Sequence, residues 1–158
     1  MVEETEKLAA LRLALGKSQG LEIDGLSRIL TSMKGVSPDR ESPVREIPAR
    51  LGDRWSALLL MVLETGTYRH AELKRVVSIL SSEQSISQRM LTLRLRALER
   101  DGFVRREVYD SVSPRVDYSL TPLGQELTER FVALIRWIEE NNDQVLCARA
   151  LFEDGVSS

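Results

Sequence analysis

The fold of this 158-residue chain is decided by the stretch Ser87-Gln-Arg-Met-Leu-Thr-Leu-Arg-Leu-Arg-Ala-Leu-Glu-Arg100 and by Phe103-Val-Arg-Arg-Glu-Val-Tyr109, which follows it after Asp101-Gly102. The first part has leucines at helical spacing, with Ser87 as a candidate N-cap and Asp101-Gly102 as the end of the helix. The second part alternates and is rich in β-forming residues, as is Val116–Leu120 beyond a turn over 110–114. Two such strands around a short turn predict a β-hairpin.

Helices are predicted on both sides of this stretch. Before it, Trp55–Glu64 is apolar on most sides and should be buried at the centre of the domain, with Trp55 in the core. After it, Thr121 and Pro122 open a long helix as its cap and first residue. The other helical segments are Val44–Leu51, Arg69–Val77, which ends at a polar interruption over Ser78–Ser85, and Asp143–Phe152. A helix-turn-helix followed by a basic hairpin predicts a fold that is mainly α with a β-hairpin wing: a winged helix-turn-helix with added N- and C-terminal helices.

Composition places the chain among ordinary globular proteins. Hydrophobic residues make up 42% and charged residues 29%, which argues against a disordered, collagenous or disulfide-scaffold chain. The longest apolar run, Ala57–Leu63, is far shorter than the roughly 20 residues that span a bilayer, and the acidic N-terminus is unlike a secretory signal. The single cysteine, Cys147, excludes an intrachain disulfide and a multi-cysteine zinc site. We therefore expect a cytoplasmic protein that binds no membrane, metal or cofactor.

Charge is distributed unevenly along the chain. The formal net charge is −2, from 22 basic and 24 acidic residues. Residues 67–116 contain ten Lys or Arg and six Asp or Glu, a local charge of +4, so the two flanks together carry −6. A nucleic-acid binder needs basic residues where it touches the polyanion, whatever its total charge. The basic central third therefore favours DNA binding by the helix-turn-helix and its hairpin.

The helix over Ser87–Arg100 presents two different faces. At about 100° per residue, Leu91, Leu95 and Leu98 form a stripe predicted to be buried, and the arginines at 89, 96 and 100 lie opposite. Arginine pairs bidentately with guanine, and a threonine or leucine side chain can touch a thymine methyl, which suits major-groove reading. A merely solvated charged face is the alternative, but the adjacent basic hairpin favours DNA. The candidate DNA-contacting residues are Ser87, Gln88, Arg89, Thr92, Leu93, Arg96 and Arg100 on the helix, and Arg105, Arg106 and Arg115 on the hairpin.

Four motifs of this chain occur together in a known family. They are Leu51-Gly-Asp-Arg-Trp-Ser-Ala-Leu-Leu-Leu60, Ile86-Ser-Gln-Arg-Met-Leu-Thr92, Leu95-Arg-Ala-Leu-Glu99 and Pro114-Arg-Val-Asp-Tyr-Ser-Leu-Thr-Pro-Leu-Gly124. With them, the chain resembles the HxlR family of winged helix-turn-helix transcriptional regulators over roughly Pro43–Trp137. The resemblance implies a homodimeric, sequence-specific binder of double-stranded DNA that acts as a repressor or an activator. It also implies a dimer built from the helices before and after the winged motif.

The linker over Gly35–Pro43, which contains two prolines, and the resemblance together suggest a division of the chain into three parts. Residues 1–40, which are helical over Glu3–Leu15 and Leu26–Met33 and precede a proline-containing linker, are an appended arm for dimerisation or for a small-molecule effector of unidentified chemistry. Residues 43–121 are the winged helix-turn-helix DNA-binding domain, and residues 122–158 are C-terminal dimerisation helices. The candidate dimerisation residues are Leu8, Leu11 and Leu15 in the arm, and Leu127, Phe131, Leu134, Trp137 and Ile138 in the long helix. Lining a ligand cavity is the alternative for Trp137.

Three features depart from the family pattern. Several relatives carry a redox-sensing cysteine just before the proline equivalent to Pro43, whereas this chain has Ser42, so thiol sensing is not available there. The link over Ser78–Ser85 is longer than usual, so the angle between the two helices of the helix-turn-helix can differ, and packing against this link is an alternative role for Leu93. The arm over residues 1–40 is not part of the pattern.

The remaining chemistry-bearing residues do not indicate an enzyme. The glycines form neither a P-loop nor a dinucleotide fingerprint, and no nucleophile elbow occurs. His70, the only histidine, has no partner at metal-ligand spacing, so we expect a phosphate contact or plain exposure. Cys147 is expected to be a small apolar residue of the core or an interface, with an intersubunit thiol switch as the alternative. For the whole chain, the alternative is a winged-helix protein-interaction module whose basic surface meets an acidic partner instead of a specific DNA sequence.

Overall fold

A computed structural model describes residues 42–81, 85–110 and 115–156. The helical arm predicted over residues 1–40, with Leu8, Leu11 and Leu15, lies outside the described residues. Of two compact units, the first reaches Ala49 and the second runs from Arg50 to Ser158. The elements of the described residues are α1 (Pro43–Leu51), α2 (Arg54–Glu64), β1 (Tyr68–Arg69), α3 (His70–Leu80), α4 (Gln88–Arg100), β2 (Val104–Tyr109), β3 (Arg115–Leu120), α5 (Pro122–Glu140) and α6 (Asn142–Val156).

The predicted fold class, a winged helix-turn-helix with added helices, is confirmed. Helix α4 is followed directly by the antiparallel pair β2 and β3, whose register runs from Val104 opposite Leu120 to Tyr109 opposite Arg115. Strand β1 was not predicted from the sequence; it pairs with β3 and makes the sheet three-stranded, in the order β1-β3-β2. Strand β1 contains only two residues, so it is too short to show the alternation by which a strand is recognised in a sequence.

Two helices extend beyond their predicted ends. The polar interruption predicted from Ser78 is wrong at its start, because α3 continues through Ser78 to Leu80 and ends where the Ser81 N–H donates to the Val77 carbonyl. A single serine is tolerated inside a helix at a small cost, so it does not end one by itself. Helix α6 likewise continues past Phe152 to Val156. No helix among these described elements is long and apolar enough to cross a membrane.

Side-chain caps fix where the helices begin. The Asp53 carboxylate accepts hydrogen bonds from the backbone N–H groups of Trp55 at 2.8 Å and Ser56 at 3.0 Å, and so starts α2. Ser87 caps α4 by accepting from the Met90 N–H at 3.2 Å, as predicted. The predicted cap Thr121 accepts from the Gly124 N–H at 3.0 Å and donates to the Gly102 carbonyl at 2.6 Å. Thr121 therefore joins the start of α5 to the turn between α4 and the wing.

The core lies around α2, which packs against α3, α4, α5 and β3. The prediction that α2 is central is confirmed, since Leu59 and Leu60 are fully buried. The stripe Leu91, Leu95 and Leu98 of α4 is buried as predicted. Trp55 is a correction, because its ring is only half-buried and the Arg54 guanidinium lies 5.9 Å from the ring centroid. Trp55 is the second residue of α2, and this first turn lies at the edge of the core.

The wing is fixed to α5 at one close backbone contact. A Cβ atom on Gly124 would overlap the carbonyl oxygen of Phe103, the residue that leads into β2. The Gly124 carbonyl in turn accepts a hydrogen bond from the buried Thr128 hydroxyl at 2.7 Å. Only glycine permits this approach, so the position of the hairpin relative to α5 depends on Gly124.

Candidate nucleic-acid interface

The outward face of α4 carries arginines that remain available to a ligand. Arg89 and Arg96 are exposed, and neither forms an ion pair with a described residue. Leu93 is also exposed, at 51% of its surface. Long cationic side chains beside an exposed apolar one form a surface that can meet both phosphates and base edges.

Arg94, between these residues in sequence, points the other way. Its Nη1 lies 3.3 Å from Oδ2 of Asp53, the carboxylate that caps α2. At the far end of α4, the Asp101 carboxylate pairs with Arg50 and accepts from Nε of Arg100 at 3.1 Å. The pairs Arg94–Asp53 and Asp101–Arg50 therefore hold the middle and the C-terminal end of α4 in place. Arg100 also pairs with Asp101, while 61% of its side chain stays exposed.

Two of the three candidate arginines of the wing, Arg105 and Arg115, are paired with carboxylates of the same sheet. Arg105 lies 3.8 Å from Glu107 on β2. The Arg115 Nε atom donates to Oδ1 and Oδ2 of Asp117 at 2.8 and 2.9 Å, its Nη2 also contacts Oδ2, and the guanidinium lies 5.3 Å from the ring centroid of Tyr109. Arg115, predicted to contact DNA from the hairpin tip, is thus held in one orientation.

Asp117 is the carboxylate that orients Arg115, and it is almost fully buried. Its hydrogen bonds to Arg115 lower the pKa of this carboxyl below its usual range. Burial acts in the opposite direction and raises the pKa, but the positive charges of Arg115 and Arg69 add to the lowering. Asp117 therefore stays ionised, and the charge pair on the wing persists at neutral pH.

Helix and wing meet at a cavity of about 420 Å³. Its walls are Thr92, Arg96 and Glu99 from α4, with Arg106 and Tyr118 from the sheet. Arg106 lies opposite Tyr118 in the register of the hairpin and forms no ion pair with a described residue. The cavity brings one arginine of α4 and one of the wing to the same place, so the two elements share one basic surface.

His70 links the two helices of the helix-turn-helix. The expectation of plain exposure is wrong, because the ring is half-buried, with its Nε2 3.1 Å from Oγ1 of Thr92 and its Nδ1 3.4 Å from Nε2 of Gln88. The Tyr118 ring lies 6.3 Å away, centroid to centroid. Burial, and then the charge of Lys74, lower the pKa of His70 below its ordinary value of 6.5. No sequence signal predicts these contacts, which join residues 18 and 22 positions apart.

The start of α4 presents a second polar group beside Gln88. The Ser87 side-chain oxygen is occupied as the cap of the helix, accepting from Met90 N–H. Backbone N–H groups at a helix N-terminus attract anions, so this end can approach a phosphate. Ser87 and Gln88 are both exposed.

Helices α5 and α6 leave large apolar side chains exposed. Trp137 is 59% exposed and Phe152 73%, whereas Leu127 and Phe131 are half-buried. Cys147 is exposed, so a place in the core of the chain is a wrong interpretation of this residue, and an interface position remains a prediction. The other exposed apolar residues of these helices are Leu123, Leu134, Ile138, Val145, Leu146 and Leu151.

The chain is similar to known transcriptional regulators. Residues 50–145 match the model of the HxlR-like helix-turn-helix family. The HTH-type transcriptional regulator YtfH of Escherichia coli K12 is 41% identical over 109 residues, which are 69% of this chain and 82% of that protein. The HTH-type transcriptional regulator YybR of Bacillus subtilis 168 is 38% identical over 115 residues, 72% of this chain and 87% of that protein. A solved structure described as the transcriptional regulator ytfH from Salmonella typhimurium has a TM-score of 0.56 at 40% identity, covering 71% of this chain and 95% of that one.

Proposed function

The chain belongs to the HxlR-like helix-turn-helix family, and from that membership we propose that it is a transcriptional regulator that binds a pseudo-palindromic DNA operator as a homodimer. Its relatives in Escherichia coli and Bacillus subtilis are named HTH-type transcriptional regulators. Such a regulator acts as a repressor or as an activator, since both use the same kind of DNA-binding surface.

The observation that carries this proposal is the row of exposed arginines on α4 beside a basic wing. In this proposal α4 enters the major groove, which admits a helix, with its N-terminal residues nearest the bases. The residues proposed to reach base edges or nearby phosphates from α4 are Ser87, Gln88, Arg89, Thr92, Leu93, Arg96 and Arg100. The wing residues Arg105, Arg106 and Arg115 are proposed to contact phosphates or the minor groove.

The exposed apolar surface of α5 and α6 supports the dimer. Trp137, Ile138 and Phe152 expose much of their apolar surface, and burial of such a surface in an interface is favourable. We assign residues 122–158 to a dimer interface that includes Leu127, Phe131 and Leu134, and residues 43–121 to DNA binding. A symmetric dimer then places its two α4 helices on half-sites about one helical turn, roughly 34–36 Å, apart. The arm over residues 1–40 is proposed to extend the interface or to receive an effector.

Selection from a pool of genomic duplexes tests the function. The protein is mixed with the pool, bound duplexes are enriched, and their affinities are measured by fluorescence anisotropy at two salt concentrations. The proposal predicts an inverted repeat that binds at least about a thousandfold more tightly than a scrambled duplex. Weak, uniform binding that disappears at the higher salt would contradict it and would favour an acidic protein partner for the same surface.

Deletion of residues 1–40 tests the assignment of the arm. If Leu8, Leu11 and Leu15 pack on the partner subunit, the truncated chain dissociates at a higher concentration than the full chain in sedimentation. An equally tight dimer would assign dimerisation to α5 and α6 alone and leave the effector role for the arm.

A further inference from the structure

Two hydrogen bonds join His70 of α3 to the first turn and a half of α4, and a third links the two α4 residues to each other. Gln88 Nε2 lies 3.4 Å from His70 Nδ1, His70 Nε2 lies 3.1 Å from Thr92 Oγ1, and Thr92 Oγ1 lies 3.0 Å from the Gln88 carbonyl oxygen. These bonds form a closed ring, which we call the His70–Gln88–Thr92 network. The Gln88 and Thr92 side chains are both proposed to face DNA, whereas His70 lies behind them.

The chemistry of the groups fixes the direction of each bond. A hydroxyl has one hydrogen, and that of Thr92 is donated to the Gln88 carbonyl, which can only accept. Thr92 Oγ1 must therefore accept from His70, so the proton of the neutral imidazole is on Nε2. The Nδ1 atom then carries a lone pair and accepts from the side-chain amide of Gln88.

This arrangement determines what Gln88 can offer to a base. One N–H of the amide is occupied by His70, which leaves the other N–H beside the carbonyl oxygen Oε1. An N–H donor next to a C=O acceptor is the pair with which glutamine binds N7 and the N6 amino group of adenine in the major groove. Thr92 has its hydroxyl hydrogen engaged, so its methyl group is the part best suited to contact a thymine methyl.

We propose that His70 is a positioning residue for sequence specificity, which holds the Gln88 amide in the orientation that reads an adenine. The inference rests on the proposed function, because it requires α4 to lie in the major groove. His70 itself does not touch the base: its ring is half-buried near Tyr118 and acts through Gln88. Specificity increases because the ring fixes one of the two orientations of the Gln88 amide. Without the ring, the amide can rotate and exchange the positions of its donor and its acceptor.

The test couples a protein change to a DNA change at the same contact. His70→Phe keeps a planar ring near Tyr118 but removes both ring hydrogen bonds. Operators with single base-pair changes are first measured with wild type and with Gln88→Ala. The adenine that Gln88 contacts is the one whose replacement weakens binding by wild type but not by Gln88→Ala. That adenine is then changed to 7-deazaadenine, which lacks the N7 acceptor and keeps the rest of the base pair. Affinities of the full-length protein for all four combinations are measured by fluorescence anisotropy.

We expect 7-deazaadenine to weaken wild-type binding about fivefold, as for the loss of one hydrogen bond. In His70→Phe the same base change should cost less than about twofold, while affinity for a scrambled duplex stays unchanged. His70→Asn, whose side-chain oxygen can accept from Gln88, should restore part of the sensitivity to the base. An equal loss of affinity with 7-deazaadenine in wild type and His70→Phe would overturn the proposal. So would a His70→Asn variant that is no more sensitive to 7-deazaadenine than His70→Phe.

A measurement without DNA separates this inference from the proposed function. In the unliganded protein, the nitrogen-15 spectrum of the His70 ring at pH 7 should show a neutral imidazole with its proton on Nε2. A proton on Nδ1 would overturn the network whatever the protein binds. If selection returns no preferred duplex, both the proposed function and the adenine contact are wrong. The spectrum then still shows whether the imidazole proton of His70 is on Nε2, as the network requires. If an operator is found but the coupling is absent, only the role of His70 is wrong.

Discussion

Helix α4 and the wing both present arginines, but they hold them differently. On α4, the outward arginines Arg89 and Arg96 form no ion pair with a described residue. On the wing, two of the three candidate arginines are paired: Arg115 is held by the buried carboxylate of Asp117 and Arg105 lies near Glu107. Unpaired arginines can adapt to the base edges of different sequences, whereas paired ones have a set direction. From this difference we propose that α4 reads bases and that the wing contacts a regular feature such as the phosphate backbone.

The largest effect is expected where the wing is fixed to α5. Gly124→Ala should lower the free energy of unfolding by about 3 kcal/mol, because the new methyl group overlaps the backbone of Phe103. Urea denaturation measures this loss. Gly155→Ala is the matched control, since a Cβ there meets no atom within 4 Å and should not destabilise the protein. Equal stabilities of the two variants would mean that the wing can move relative to α5 at little cost.

The next largest effect separates the two sides of α4. Arg96→Ala should weaken binding to the operator by about 1–3 kcal/mol and relax the preference at one base pair if this residue reads a base. Arg94→Ala should instead lower stability, because it leaves the Asp53 carboxylate without its partner from α4. Arg130→Ala, on α5, removes the same charge as a control. Unchanged base preference in Arg96→Ala would remove this residue from the base-reading set.

A smaller effect tests whether the wing depends on orientation as well as charge. Asp117→Asn makes the wing more positive, so attraction to DNA alone predicts tighter binding. If the bidentate pairing of Arg115 matters, specific affinity instead falls, by about 1 kcal/mol. Asp110→Asn adds the same charge on the exposed end of the hairpin and serves as the control. Tighter operator binding by both variants would mean that only the charge of the wing counts.

The smallest effect is a pH dependence that originates at His70 of α3. The folded-state pKa of His70 lies below 6.5, so the unfolded chain binds the proton more readily in the interval between the two values. Its contribution to stability is therefore complete above about pH 6.5 and is lost as the pH falls through the folded-state pKa. Protonation also removes the Nδ1 acceptor, so wild-type specific affinity should fall severalfold at that point. The neighbours of the ring are Lys74, Gln88, Thr92 and Tyr118. A drop of equal size in His70→Phe would contradict this origin.

Local patterns in the sequence account for most of the fold. The caps Ser87 and Thr121 and the buried stripe of α4 follow from residue types and a helical period, and each was predicted correctly. The same period separates the outward Arg96 from the inward Arg94. In each case the information lies within a few neighbouring residues, so no knowledge of the rest of the chain is needed.

The main features of the site that escaped prediction depend on contacts or burial that the local sequence does not show. Strand β1 exists because Tyr68 and Arg69 pair with β3, 48 to 50 positions further along. His70 reaches Gln88 and Thr92 only because α3 and α4 cross as they do. The pairing of Arg115 with Asp117 is closer in sequence, but the burial of Asp117 comes from its place in the sheet, opposite β1 and β2. Tertiary packing therefore determines the details of the site, while the local sequence determines its position.

The salt dependence of two single variants tests the division between α4 and the wing most directly. Operator affinity is measured over a series of salt concentrations for wild type, Arg96→Ala and Arg106→Ala, with single-base variants of the operator at each salt. Arg106→Ala should reduce the slope of log affinity against log salt by about 1 and leave base preference unchanged. Arg96→Ala should change the preference at one base pair in each half-site. An altered base preference in Arg106→Ala, together with a change of only the salt slope in Arg96→Ala, would contradict this division between α4 and the wing.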